Sequence, residues 1–423
     1  MSTDSISDRF VATRQRFLAI CQPLELEDYG LQAAEFASPP KWHLAHTTWF
    51  FETFLLKPFV PGYQSLESLY EVLFNSYYNG IGNQHPRGQR GLLSRPSLQD
   101  VFAYREHVDH AMLSLLATVD DREDRQEAEE LIARTVLGIE HERQHQELFF
   151  TDIKFSLGAN PLYPRYVAGD VNAQIPTAPV SWTAFDGGLI EIGYEGSDFC
   201  FDNELPRHRT YIESFELANR LVTNGEYQAF IDDGGYERPE LWLADGWATV
   251  QREKWGGPLH WLDSGGQQLE FTLMGLQQRA AAIPVAHVSG YEADAYARWA
   301  GVRLPTEAEW EHVAAMSYGL DRNQATSQDS ARAALCHPEA AAGEDLQQLY
   351  GACWQWTQTA YSPYPGFAPS AGAIGEYNGK FMSNQWVLRG GSCVTPPSQA
   401  RPTYRNFFYP QDRWQFSGIR LAR

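Results

Sequence analysis

His141 and His145 stand four residues apart in Gly138-Ile139-Glu140-His141-Glu142-Arg143-Gln144-His145-Gln146-Glu147, inside a helical pattern of apolar residues. Positions i and i+4 of a helix share a face, so both imidazoles can reach one ion. A second pair, His43 and His46, lies in Pro39-Pro40-Lys41-Trp42-His43-Leu44-Ala45-His46-Thr47, a stretch that opens on prolines as helix starts do. One of these two could supply a third ligand. Three neutral imidazoles leave a divalent ion its full charge and open coordination positions. That suits iron(II) holding a substrate, a thiolate and dioxygen together, and zinc also accepts such a set.

The run His141-Glu142-Arg143-Gln144-His145 matches the zinc-protease pattern H-E-x-x-H. The extension that would complete a protease site is missing. Leu148 stands where a glycine belongs, Thr151 where a third histidine belongs, and residues 160–169 hold no carboxylate. Glu142 is expected to orient a ligand ring or to sit on the helix surface, and Glu147 on the surface.

Two further clusters carry chemistry. Asn75-Ser76-Tyr77-Tyr78-Asn79-Gly80 offers two phenols on a glycine-ended loop, either able to give up a proton or a hydrogen atom. His85-Pro86-Arg87-Gly88-Gln89-Arg90-Gly91 sets two guanidinium forks three residues apart, able to grip a carboxylate or to form a surface salt-bridge loop.

These residues need helices to hold them, and the first part of the chain reads as helical. Residues 101–116 and 125–157 show apolar positions at three- and four-residue spacing, with a charged turn at 120–125 between them. Composition shifts at Gly158-Ala159-Asn160-Pro161 and again at 174–179. Beyond residue 175 come 11 of the 13 tryptophans, short strand-like pieces at 189–192 and 387–389, and helix-like segments at 223–232 and 289–299. The expected fold is multi-domain, α and α+β: a four-helix-type bundle over 1–165, then a loop-rich α+β domain over 166–423.

The net charge of −20 over 423 residues repels nucleic acid and anionic membranes. The start lacks a signal-peptide pattern, and no run reaches the roughly 20 apolar residues of a membrane helix. Five scattered cysteines without a C-x-x-C, Cys21, Cys200, Cys336, Cys353 and Cys393, point to reduced thiols packed in a cytoplasmic protein.

Taken together the motifs resemble the ergothioneine-biosynthetic sulfoxide synthases, with their related ovothiol and selenoneine branches. The resemblance runs from Lys41-Trp42-His43-Leu44-Ala45-His46-Thr47-Thr48-Trp49-Phe50 and the His141/His145 helix through Phe201-Asp202-Asn203-Glu204 and Leu221-Val222-Thr223-Asn224-Gly225-Glu226-Tyr227. It continues in Arg303-Leu304-Pro305-Thr306-Glu307-Ala308-Glu309-Trp310-Glu311, Leu388-Arg389-Gly390-Gly391-Ser392-Cys393, Thr403-Tyr404-Arg405-Asn406-Phe407-Phe408 and Arg413-Trp414-Gln415-Phe416. It implies a DinB-like helical bundle followed by a C-type-lectin-like domain of the formylglycine-generating-enzyme, sulfatase-modifying kind.

The resemblance also implies an activity: oxygen-dependent joining of the sulfur of cysteine or γ-glutamylcysteine to the imidazole of hercynine, with oxidation to the sulfoxide. Histidine as acceptor, or a selenosugar as donor, would mark the sister branches. The partners are small molecules, hercynine and a thiol or selenol donor. By the same resemblance His46, His141 and His145 are the iron(II) ligands, with O2 as co-substrate. Arg87 and Arg90 hold the donor carboxylate, and Gln144 faces hercynine. Tyr77 or Tyr78 is the catalytic phenol, and Trp414, Gln415 and Phe416 close the pocket, their rings suited to a trimethylammonium group. The chain departs from the pattern at Gly351-Ala352-Cys353-Trp354-Gln355-Trp356, where G-N-V-W-E-W is usual. No cysteine pair matches the copper ligands of formylglycine-generating enzymes. A metal-dependent thiol S-transferase that consumes no oxygen, and a non-catalytic lectin-like binding module, are the readings from other classes.

Overall fold

The computed structural model describes residues 5–171, 176, 179–327 and 336–423, with side chains described in the last long helix only as far as residue 317. Residues 1–4 of the chain start, and 174, 175, 177 and 178 of the second compositional break, lie outside the described residues. The chain divides into two compact units, Met1–Ala159 with Pro369–Tyr377, and Asn160–Ala368 with Asn378–Arg423.

Four long helices build the first unit: α1 (Ile6–Cys21), α2 (Pro40–Phe51), α5 (Leu98–Leu116) and α6 (Arg125–Gly158), with short α3 (Lys57–Phe59) and α4 (Tyr70–Phe74) between α2 and α5. Their starts are written locally. Ser5 and Ser97 accept from the amides of Asp8 and Asp100, whose carboxylates return a bond to the cap. Asp124 caps Gln126 and Glu127 at the head of α6, and Pro40 opens α2. The helices expected at 101–116 and 125–157 fall inside α5 and α6.

Helix α6 packs on α1 and α2, and α2 also on α5. Phe10 meets Phe51 edge-on at 4.9 Å between ring centroids, and Phe17 meets Phe149 at 6.1 Å. At Gly138 a Cβ would come within 2.5 Å of the Phe51 ring, so this glycine lets α6 close onto α2. A π turn, Glu52–Leu56, follows α2.

The second unit holds α7 (Asn224–Asp232), α8 (Ala244–Glu253), α9 (Gly290–Trp299) and α10 (Glu307–Ser327) with several short sheets; α9 and α10 pack on strands and α7 on α9. Helices α7 and α9 are the two expected at 223–232 and 289–299; α8 and α10 are additions. The start of α10 was legible: Thr306 and Glu309 exchange bonds as a capping box. Strands β1 (Trp182–Phe185) and β4 (Phe215–Ala218) pair antiparallel, as do β2 (Gly188–Ile192) and β3 (His208–Ile212). Strands β5 (Trp261–Ser264), β6 (Gln267–Thr272) and β7 (Gly275–Gln278) form a meander. The largest sheet runs β10 (Asn406–Phe408), β9 (Trp386–Arg389), β8 (Trp354–Ala360), β11 (Ser417–Gly418).

The unusual Gln355 lies on β8, fully buried, and its amide explains itself. Its Oε1 accepts from Trp310 Nε1 and Arg420 Nε, both at 2.7 Å, while its Nε2 donates to the Gln348 and Leu349 carbonyls. A glutamate could accept the first two bonds but make neither donation. Cys353 is fully buried beside it, with Sγ turned toward the Val285 carbonyl at 4.0 Å. From Ala352 to Trp356 this departing segment is therefore core of the second unit. All five cysteines are free thiols; Cys21, Cys336 and Cys353 are buried and Cys200 and Cys393 half-buried. Among the described residues no helix is long and apolar enough to cross a membrane.

Candidate metal centre

Helices α2 and α6, brought together at Gly138, carry four histidines. One ring nitrogen each from His46, His141 and His145 lies within 4.8 Å of the other two, and all three residues are buried. His43, one turn before His46, is turned aside: its Nδ1 meets His145 Nδ1 at 2.9 Å and its Nε2 meets Asp152 Oδ2 at 3.0 Å.

Burial disfavours the imidazolium at each triad member. The His141 ring is pushed down to about 3, and those of His46 and His145 fall well below the ordinary range, with neighbouring imidazoles adding to burial. All three are thus neutral, the form that ligates a metal. The His46 Nδ1 is 2.6 Å from the Phe74 carbonyl at the end of α4, so Nδ1 carries the proton and Nε2 the lone pair. That Nε2 and both ring nitrogens of His141 are buried and make no hydrogen bond among the described residues. Buried polar atoms left so normally cost about 1–3 kcal/mol each. A metal ion would satisfy them, and a soft or borderline divalent ion fits three imidazoles.

Beside the triad the planes are layered. Trp42 stacks on His46 at 4.5 Å and 11°, and the Arg90 guanidinium lies over the same indole, 3.4 Å from the ring centre. Arg90 is buried, donating to Ser38 Oγ at 2.8 Å and Ser76 Oγ at 3.2 Å, while its Nε is buried with no hydrogen bond among the described residues. Burial, and then the Arg87 charge, hold its proton affinity well below the usual level. An anion placed there would relieve both. Arg87 is exposed and donates to the Phe36 carbonyl, so the two arginines differ in setting.

The tyrosine loop starts at the same Phe74. Buried Asn75 closes it by accepting from the Tyr78 amide at 3.1 Å and donating to the Tyr78 carbonyl at 3.0 Å. Tyr77 and Tyr78 stack at 4.7 Å. Tyr78 is fully buried against Trp49, Phe50 and Phe54, and burial with the adjoining Tyr77 phenol raises its pKa, so it stays protonated.

Sequence reasoning missed a third phenol. Tyr377, at the end of the Pro369–Tyr377 segment of the first unit, donates to Gln144 Oε1; its ring lies 5.6 Å from His141 and 6.5 Å from Tyr77. Its neighbour Glu376 accepts from the Asn79 amide at 3.0 Å and the Gly80 amide at 2.7 Å, tying this segment to the tyrosine loop. The only sequence signal was a lone Glu-Tyr in a glycine-rich stretch.

Two expectations are corrected. Glu142 neither orients a ligand ring nor lies on the surface: it is fully buried between Arg14 Nη1 at 2.7 Å and Arg105 Nη2 at 2.6 Å. Glu147 is buried as well, at 4% exposure. Both follow from α6 being packed on more than one side, which the simple two-faced helix pattern concealed. In the second unit Trp414 packs edge-on against Phe408 at 5.3 Å, Gln415 Oε1 accepts from the Phe416 amide at 2.7 Å, and Phe416 packs on His287 at 4.6 Å.

Residues 9–149 match the DinB superfamily, and 176–423 match the sulfatase-modifying factor enzyme 1-like domain. The chain is 30% identical to a hercynine oxygenase of Mycolicibacterium smegmatis, covering 100% of this chain and 99% of that one. It is 32% identical to a hercynine oxygenase of Mycobacterium tuberculosis, covering 91% of each. Over 53% of its length it is 26% identical to ergothioneine biosynthesis protein 1 of Schizosaccharomyces pombe, of which it covers 28%.

Proposed function

We propose, from the premise that this chain belongs to the family of the hercynine oxygenases, that it is an iron(II)- and O2-dependent sulfoxide synthase acting on hercynine. The observation that carries this reading is the convergence of three buried, neutral imidazoles, two of them with ring nitrogens that make no hydrogen bond among the described residues. His46, His141 and His145 would hold the iron. Bound there, iron(II) supplies a thiolate-stabilising charge and a site for dioxygen.

The balance is simple. The hercynine C–H and the donor S–H are lost, one carbon–sulfur and one sulfur–oxygen bond form, and the second oxygen leaves as water with both hydrogens. The residues serve that sum. Arg90, stacked on Trp42, would fix the donor carboxylate and so the sulfur; Arg87 would meet the same carboxylate from the exposed side. Gln144, oriented by Tyr377, would take a hydrogen bond with the hercynine ring. A phenol of the Tyr77–Tyr78 loop would deliver the proton that separates coupling from plain thiol oxidation. Trp414 is the candidate aromatic face for the trimethylammonium group, flanked in sequence by Gln415 and Phe416.

The test is anaerobic reconstitution with iron(II), then oxygen uptake with hercynine or histidine as acceptor and cysteine, γ-glutamylcysteine or a selenosugar as donor. Product masses name the pair. A hercynine-dependent sulfoxide supports the reading, and a selenium adduct or a histidine adduct moves the chain to a sister branch. Turnover without oxygen uptake would replace it with an S-transferase.

A further inference from the structure

Asp152 lies seven residues beyond His145 on α6, two turns along the same face. Its Oδ2 accepts the Ser38 amide at 2.8 Å and faces His43 Nε2 at 3.0 Å; Asp152, His43 and Ser38 are all buried. A carboxylate only accepts, so His43 Nε2 carries the proton. His145 Nδ1 is engaged by His43 Nδ1 at 2.9 Å, so a metal would be met by His145 Nε2. The neutral His145 ring then carries its proton on Nδ1 and donates it to His43. That leaves the lone pair of His145 on Nε2.

We propose that His43 and Asp152 are positioning residues for His145: a two-step relay that fixes its tautomer and ring direction and feeds carboxylate charge into its donor nitrogen. The inference rests on the metal centre proposed above. It makes the three ligands unequal. His46 is steadied by a neutral carbonyl, at Phe74, and His141 by no hydrogen bond among the described residues. Only His145 is backed by an anion, reached through a second imidazole. Such outer partners set ligand basicity and ring orientation in metal sites.

Cobalt(II), a visible-absorbing stand-in for iron(II), tests this without turnover. Apo full-length protein is titrated anaerobically, reading both affinity and the absorption bands of the bound ion. His43→Leu removes the acceptor and is expected to weaken binding about 10–100-fold, the usual cost of losing such a partner. His43→Asn returns an amide oxygen near the Nδ1 position and is expected to recover part of that loss. Asp152→Asn keeps an acceptor for His43 and for the Ser38 amide but drops the charge; its cobalt bands are expected to shift, with a smaller loss of affinity. If the wild type binds one cobalt while His43→Leu and Asp152→Asn match it in affinity and spectrum, the relay is overturned and the centre stands. Loss of affinity with unmoved bands and a reduced folded fraction by circular dichroism also overturns it, as that marks a purely structural role. Should His43→Leu fail to fold, Asp152→Asn decides. A wild type that binds no metal sinks the centre itself.

Discussion

The Arg90 guanidinium lies 3.4 Å from the centre of the Trp42 ring, whose plane is within 11° of the His46 imidazole. The proposed carboxylate grip and a proposed metal ligand thus share one indole. Arginine can stack and still present a fork; lysine can do neither. Arg90→Lys is expected to raise KM for a carboxylate-bearing donor about 10- to 100-fold, the worth of a charge-assisted hydrogen bond or two, with a much smaller change in kcat. Steady-state kinetics at saturating hercynine checks this, and an unchanged KM would remove Arg90 from the donor site.

Glu142 gives the second prediction. It sits where a zinc protease keeps its general base, yet it is the centre of a buried ion cluster with Arg14 and Arg105. Glu142→Gln leaves two buried cations under-compensated and is expected to cost about 3–5 kcal/mol of stability, while activity per folded molecule persists. Thermal melts and active-site-normalised rates separate the two.

The same residue predicts a pH dependence. Burial alone would raise the Glu142 carboxyl, but Arg105 and then Arg14 outweigh it and hold the group below its ordinary value of 4.5. A depressed folded-state value means the unfolded chain binds the proton first on acidification. The stability that Glu142 contributes is therefore complete above about pH 4.5 and drains away as pH falls through the lower folded value. Wild type and Glu142→Gln, compared by denaturant unfolding, are expected to converge in stability below that point.

Much of this site was legible, and the exceptions have physical causes. Helix periodicity and the i, i+4 rule locate His141 and His145, and cap residues locate the helix starts. Nothing local says which of His43 and His46 turns inward, because three residues on a helix separate faces by less than a right angle and packing decides. Nor does any pattern announce Tyr377 or Glu376. Their relation to Gln144 and Gly80 is a contact across 233 and 296 residues of chain, and single-sequence periodicity carries no information at that range.

The phenols differ in reach. Tyr78 is walled in by Trp49, Phe50 and Phe54, whereas Tyr77 is half-exposed. A proton donor has to touch the reacting atoms, so Tyr77→Phe is expected to lower coupled product about 10²- to 10⁴-fold while thiol oxidation continues. Tyr78→Phe is expected to keep coupling. Mass spectrometry of products from matched oxygen uptake reads the split, and the reverse pattern would transfer the role to Tyr78.

Glu376 holds the Asn79 and Gly80 amides from a distant part of the sequence. Its change to alanine is expected to speed hydrogen exchange at those two amides by about fivefold, in line with roughly 1 kcal/mol for a bond of this kind, while exchange in α1 and α6 stays as it was. Equal protection in the variant would mean the loop is held by Asn75 alone.

Because Pro369–Tyr377 belongs with Met1–Ala159, a ribosome makes the four-helix part first and its last strap only after residues 160–368 have emerged. The bundle must wait, with the Asn79 and Gly80 amides not yet held by Glu376, while about half of the chain is made. Cutting the gene at the compositional boundary would yield a fragment with every histidine of the triad and neither Glu376 nor Tyr377. A boundary drawn from composition would therefore part the metal ligands from the strap that engages Gln144 and the tyrosine loop.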